Sequence, residues 1–196
     1  RLQVYGITSQ NKISDFWHTT LRYGFTKSAM ANYTSGIASA SQSYQNTFSW
    51  QNSFYITPDH MLSLLYEGTK ERISSDLTQF VQNKRNTNSL GAIYQGRFTN
   101  RHHLQASVRN DHYSDYGSRT TSSLAYDYDV TDTITLGLAG NTGFRMPTFI
   151  DLYAPLWGGN PALKPEKSRN YEAHISFENE TTTASIRVFH TKYRDL

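Results

Sequence analysis

The stretch FWHTTLRYGFT, Phe16 to Thr26, sorts its residues by parity. Trp17, Thr19, Leu21, Tyr23 and Phe25 fall on one side, and Phe16, His18, Thr20, Arg22 and Gly24 on the other. Side chains on a strand point alternately to its two faces, so a period of two marks a strand with one apolar and one polar face. The same split recurs along the chain. Leu62, Leu64 and Tyr66 oppose Ser63, Leu65 and Glu67, and Leu90, Ala92, Tyr94 and Phe98 oppose Gly91, Gln95 and Arg97. Leu104, Ala106 and Val108 oppose His103, Gln105, Ser107 and Arg109, while Leu124, Tyr126, Tyr128 and Val130 oppose Ser123, Asp127 and Asp129. Tyr171, Ala173, Ile175 and Phe177 oppose Glu172, His174 and Glu178, and Ala184, Ile186 and Val188 oppose Ser185 and Arg187. With uncharged segments near 46–56 and 133–143 and a weaker one at 1–8, about ten strands emerge. Where a strand body carries charge, the charge lies opposite the apolar set.

Composition agrees with an all-β chain that is neither disordered nor helical in a membrane. Only 18% of the 196 residues are charged and 14% are aromatic, whereas disordered chains lack bulky residues. No run of ~18 apolar residues is present, so no transmembrane helix is expected. A net charge of +3, scattered along the chain, does not point to nucleic acid. Zero cysteine excludes a disulfide framework and thiolate metal ligands. No charged-then-apolar leader stands at the start.

The connections alternate in length. Short turns are expected at Gln10–Ser14, Thr57–His60, Asn100–His102, Val130–Thr133 and Asn179–Thr182. Long polar loops are expected at Lys27–Gln45, Thr69–Asn88, Tyr113–Thr120 and Phe144–Ser168. Tight turns on one side and longer loops on the other suit an outer-membrane barrel with periplasmic turns and external loops. Trp17, Phe25, Phe48, Phe54, Phe98, Tyr128, Tyr171 and Phe177 lie near strand ends, where interfacial girdles belong. A soluble β-sandwich also alternates, but its strands are usually ~5–6 residues rather than these ~9–11. Ten strands in this length fit either a complete ten-stranded barrel or a contiguous slice of a larger one.

The run NTGFRMPTFIDLYAPLWGGNPALKPEKSRNY, Asn141 to Tyr171, is the most specific in the chain. Pro147, Pro155, Pro161 and Pro165 cannot donate ladder hydrogen bonds, so the strand before them must end near Arg145. Gly158 and Gly159 permit backbone conformations closed to other residues. An ordered, proline-braced loop is expected. Arg145 shares parity with Asn141 and Gly143 and should point to the lumen, while Lys164, Glu166 and Lys167 brace the loop or face solvent.

This run resembles the TonB-dependent outer-membrane receptors, in the elements Gly143–Thr148, Leu152–Tyr153, Gly159–Ser168 and Tyr171–Glu172. Val108–Thr121 and Phe189–Leu196 fit the same family. The resemblance implies a slice of a 22-stranded barrel over residues 1–196, with plug, TonB-contacting box and closing strands outside the sequence. It further implies a bacterial outer-membrane transporter, not an enzyme, that imports a scarce nutrient when TonB remodels the plug. The loops look most like the vitamin B12 (cobalamin) receptor branch. A ferric siderophore or haem receptor of the same family is the alternative. No cofactor is implied in this segment, and any acidic calcium loops would lie upstream.

Cobalamin is large, amide-edged and nearly uncharged, so aromatic platforms with scattered donors would suit it. Tyr116, Tyr153 and Trp157 could supply the first, and Arg119 and Asn160 the second. Arg109, Asn141 and Arg145 are the expected lumen-facing, plug-contacting set. Three other constellations place ionisable groups close together in sequence. His102 and His103 are adjacent on a strand and face opposite ways. Asp127, Asp129 and Asp132 lack the Gly and Glu of a calcium loop. Asp111, His112 and Asp115 would be the rim set of a ten-stranded outer-membrane protease. A nonspecific porin would leave the GNPALKPEKS segment unexplained.

Overall fold

The computed structural model describes residues 1–34, 37–76, 80–155 and 158–195. The strands are β1 (Leu2–Lys12), β2 (Trp17–Thr34), β3 (Ile37–Thr57), β4 (His60–Ser75) and β5 (Lys84–Phe98), followed by β6 (His102–Tyr113), β7 (Gly117–Asp129), β8 (Ile134–Arg145), β9 (Glu166–Glu178) and β10 (Thr183–Arg194). One short helix, α1 (Phe149–Tyr153), interrupts the connection between β8 and β9. The strands form a single antiparallel sheet in chain order, each paired with its sequence neighbours. That arrangement removes the sandwich, which needs two facing sheets. Among the described residues β1 and β10 do not pair with each other, so the ten strands are an open wall and not a closed ten-stranded barrel.

Parity survives intact. Leu64, Ala92 and Val108 are register partners on one face; Glu67, Ser89 and Asp111 are partners on the other. Yet among the described residues no hydrophobic core lies between layers: the buried apolar side chains there are Leu152 and Ala154, both in the β8–β9 connection. The apolar face is instead open, with Leu90 66%, Leu138 63% and Ile186 70% exposed. A continuous apolar stripe of this size needs lipid against it. The opposite face is the crowded one, where Ser49, Ser63, Thr87, Ser89, Arg85 and Asp111 are buried.

Aromatic residues collect at the short turns. Phe16 and Trp17 pack on Phe54, and the Trp17 indole donates to Asn52 Oδ1 at 3.0 Å. His60 bonds the Tyr94 phenol at 2.7 Å, and His102 bonds Tyr126 at 2.6 Å in the same manner. Each ring thus has an apolar body toward the band and a polar tip toward the interface. The hydrogen-bonded rows climb as they cross the sheet. Trp17 opens β2, but following its row through Phe54, Leu62, Tyr94, Ala106, Leu124 and Gly140 leads to Tyr171, well inside β9. Such stagger is the shear that tilts strands in a barrel wall.

The long connections are shorter than the sequence suggests. β2 and β3 pair through most of the expected loop Lys27–Gln45, as far as Thr34 and Ile37. The expected loop Tyr113–Thr120 reduces to residues 114–116, and Thr69–Asn88 to 76–83. The strands run 11 to 21 residues, so several extend beyond the ~9–11 needed to cross lipid. The reason is physical. Above the bilayer both faces of a strand meet water, so hydrophobic alternation vanishes while backbone pairing continues.

Candidate ligand-facing site

Three connections meet at the outer end. β5 begins at Lys84, and its parity sends Arg85 inward with Thr87 and Ser89. There the Arg85 Nε–H donates to both carboxylate oxygens of Asp115, at 3.1 and 2.9 Å, and Nη2 donates to the Pro147 carbonyl at 3.3 Å. The guanidinium lies 4.9 Å from the centre of the Phe149 ring. Tyr153 closes the cluster by donating its hydroxyl to Asp115 at 3.3 Å. The side chains of Arg85 and Asp115 are 6% and 1% exposed, which makes this a buried ion pair with its polar groups met on several sides. Burial and the neighbouring Asp115 carboxylate together push the Tyr153 phenol up from its ordinary pKa. The Tyr153 carbonyl accepts from the Val81 N–H at 3.1 Å, so the 76–83 connection is tied in as well.

The helix is built for this place. Thr148 caps it: its Oγ1 accepts the Asp151 N–H at 3.2 Å, and the Asp151 carboxylate accepts the Thr148 N–H at 2.9 Å. Those bonds from Thr148, backbone first, hold the Asp151 carboxyl below the usual range. Gly158 takes φ +71°, a left-handed turn that a side chain would strain. The chain then folds back, and the Asn160 N–H donates to the Asp151 carbonyl at 2.8 Å.

A polar ladder runs below, on the inward face. Arg109 donates to Glu67 at 2.7 Å and to Asp111 at 2.8 Å; Asp111 also accepts from Ser89 Oγ. Nearer the short turns, His103 Nε2 lies 2.8 Å from Asp129, which also accepts from Thr135 at 2.7 Å. His174 reaches Asp127 at 3.5 Å and Arg187 reaches Glu172 at 3.2 Å.

The expected site residues divide. Tyr116 and Arg119 come together: the Arg119 guanidinium stands 5.6 Å from the Tyr116 ring, and its buried Nε has no hydrogen-bond partner. Tyr153 spends its hydroxyl on Asp115. Asn160 is exposed, and its Oδ1 accepts the Ala162 N–H at 2.9 Å, leaving its amide free to donate outward. Trp157 lies outside the described residues. Arg109 and Asn141 share the inward parity, Asn141 between Ser123 and Asn170. Arg145 does too; it is 72% exposed and faces Glu166 at 3.4 Å, which makes Glu166 part of a strand pair and not of a loop. Arg85 is the member that sequence reading misses. It precedes the apolar part of β5, and extending the strand's parity outward through Ser89 and Thr87 would have found it.

The other constellations do not assemble. His112 turns away from Asp111 and bonds Ser118 at 3.0 Å, while Asp115 is taken by Arg85. His102 stacks on Tyr128 on the lipid face, and His103 pairs with Asp129 on the other. Among the described residues no group of three or more His, Asp or Glu could hold a metal ion.

Comparison with known proteins matches this architecture. A family model described as "TonB dependent receptor-like, beta-barrel" covers residues 2–196. The chain is 33% identical over 149 residues to the vitamin B12 transporter BtuB of Photobacterium profundum, covering 75% of this chain and 24% of that protein. It is 28% identical over 151 residues to the iron-regulated outer membrane virulence protein of Vibrio cholerae, covering 70% of this chain and 23% of that one. The chain therefore spans about a quarter of the length of these relatives. Among solved structures, the siderophore receptor PirA of Acinetobacter baumannii superposes with a TM-score of 0.83 at 18% identity, over all of this chain and 35% of that one. The inside-out sheet, the one-sided turns and the match along nearly its whole length agree: this chain belongs to the TonB-dependent receptor β-barrel family of the bacterial outer membrane.

Proposed function

We propose that the protein carrying this chain is a receptor that captures cobalamin at its outer loops and imports it with the help of TonB. The observation that carries the reading is the 33% identity to a vitamin B12 transporter over three-quarters of the chain. The chemistry of the outer end supports it. Arg85 and Asp115 neutralise each other, Asp151 is held in its helix cap, and Arg145 faces Glu166. What remains open to a ligand is an aromatic surface at Tyr116, the Arg119 guanidinium and the Asn160 amide, a nearly neutral set suited to an amide-edged ligand. The wall would be part of a 22-stranded barrel, and Arg109, Asn141 and Arg145 would face its plug. A ferric siderophore is the second reading. It is favoured by the 28% identity to the iron-regulated protein and by the Arg119 guanidinium, a cation beside Tyr116 that holds no carboxylate among the described residues.

The test is uptake by cells that lack their own receptors and express the intact protein. Labelled cyanocobalamin should accumulate in a TonB-dependent manner. Accumulation of a ferric siderophore without cyanocobalamin would replace the first reading by the second.

A further inference from the structure

The surface left open to a ligand is carried by two separate connections. Tyr116 and Arg119 stand at the β6–β7 turn, while Asn160 rides on the β8–β9 connection, its N–H held by the Asp151 carbonyl of α1. The turn belongs to the sheet. Ser114 N–H donates to the Asn86 carbonyl at 2.9 Å, and Asn86 N–H donates to Ser114 Oγ at 3.0 Å. Arg119 stays with the turn, its Nη1 donating to the Ser118 carbonyl at 2.7 Å.

The second half of the surface is not joined to the first through the wall. The flanking ladders run to the strand ends, β6–β7 as far as Tyr113 with Gly117 and β8–β9 as far as Arg145 with Glu166. The ladder between them stops early: β7 and β8 pair from Asp129 with Thr135 up to Ser123 with Asn141. One rung higher a side chain takes over, and Thr142 Oγ1 accepts the Ser122 N–H at 2.9 Å. Above that, residues 117–121 of β7 and 143–145 of β8 have no ladder pair with each other. The Phe144 ring instead reaches Tyr113 edge-on, with 5.9 Å between centres.

What holds α1 beside the turn is therefore a joint of side chains. Among the described residues, three polar contacts tie 146–155 to chain outside the β8–β9 connection. They are Arg85 Nη2 on the Pro147 carbonyl, the Tyr153 hydroxyl on Asp115, and the Val81 N–H on the Tyr153 carbonyl. Two of the three pass through the Arg85–Asp115 pair, and the same guanidinium lies against the Phe149 ring. Both side chains are covered, so neither touches a ligand.

We infer that Arg85 and Asp115 are positioning residues for ligand capture, their ion pair fixing the spacing between Tyr116 with Arg119 on one side and Asn160 on the other. The inference rests on the reading of the protein as a cobalamin receptor. A rigid ligand that spans two connections binds tightly where their spacing is preset, because ordering them during binding costs affinity. A pair that served stability alone could be replaced by apolar packing. This one directs its bonds at Pro147 and Tyr153.

The test uses the intact receptor in detergent with cyanocobalamin as the probe. R85A and D115N should each weaken binding at least about tenfold, chiefly through faster dissociation, and the double variant should be no weaker than the weaker single. R97Q, which breaks a partly exposed Arg–Asp pair near the short turns, should leave binding unchanged. R85M/D115L separates position from stability. It leaves no unmatched charge, so the temperature of heat modification should recover, while binding stays down about tenfold because no bond reaches Pro147 or Tyr153. Spin labels at T120C and A162C, both exposed, read the spacing without ligand. The otherwise unaltered receptor should give one narrow distance distribution, and R85A and D115N should broaden it. Should both singles fail to assemble, R85M/D115L carries the same two measurements. Unchanged binding or an unbroadened distribution in an assembled single variant would overturn the proposal, as would full recovery of binding in R85M/D115L. If the receptor binds a ferric siderophore and no cyanocobalamin, the ligand reading falls. The label distances and siderophore affinities of the same variants then decide the role of the pair.

Discussion

Asp115 is an acid in a three-residue turn, yet its side chain is almost wholly covered, and Arg85 is the reason. Removing one member of a buried pair leaves the other charged and unmatched, which costs about 3–5 kcal/mol. Arg85→Ala should therefore loosen the outer end without dissolving the sheet, since the pair lies above the apolar band. Hydrogen exchange at Val81 and Leu152 should rise sharply while amides of β6 and β8 keep their protection. Arg85→Lys should rescue poorly, because an ammonium cannot reproduce the two bonds to Asp115 and also reach Pro147. A second residue tests packing. At Gly137 a Cβ would fall on the His174 ring and the Asp127 carboxylate, which meet across β8 over the bare glycine. Gly137→Ala should destabilise by about 1–3 kcal/mol, read as a lowered temperature of heat modification. Tyr116 and Arg119 could be nominated from sequence because loop aromatics and cations announce themselves. Arg85 is announced only by the parity of its strand, and its partner, thirty residues away, is not announced at all.

The strands were legible in sequence wherever lipid enforces a parity, as in Leu62–Tyr66 or Tyr171–Phe177. They were not legible in 39–45, where polar residues fall on both faces and pairing leaves no hydrophobic trace. Parity can be tested directly. Leu138→Arg places a charge near the middle of the band and should impair assembly by about 2–4 kcal/mol, whereas Ala139→Arg faces inward beside Glu172 and should be tolerated. Equal damage at both, measured as the yield of heat-modifiable protein, would mean that both faces are packed against protein. Helix α1 offers a pH test. The Asp151 carboxyl is depressed below its unfolded value, so its contribution to the cap is complete above about pH 3.9 and disappears as pH falls through the lower folded value. Protection of the Leu152 amide should follow that course in the acid range, and Thr148→Ala should weaken the cap by about 0.5–2 kcal/mol at neutral pH.

At the scale of the molecule the ten strands are a wall with two free edges. Unpaired strand edges are not tolerated in hydrocarbon, because their N–H and C=O groups find no partners. These 196 residues refolded alone into liposomes should give aggregated β-structure, and a discrete monomer with stable conductance would contradict the open sheet. The oblique rows of the wall have a mechanical consequence. The row that starts at Trp17 at the foot of β2 is carried by Tyr171 well up β9, so a pull on one strand along the membrane normal loads its neighbours in shear. Bonds loaded in shear must give way together; bonds peeled at an edge give way singly. A wall built on the slant can therefore stay stiff under a pull on any one of its strands.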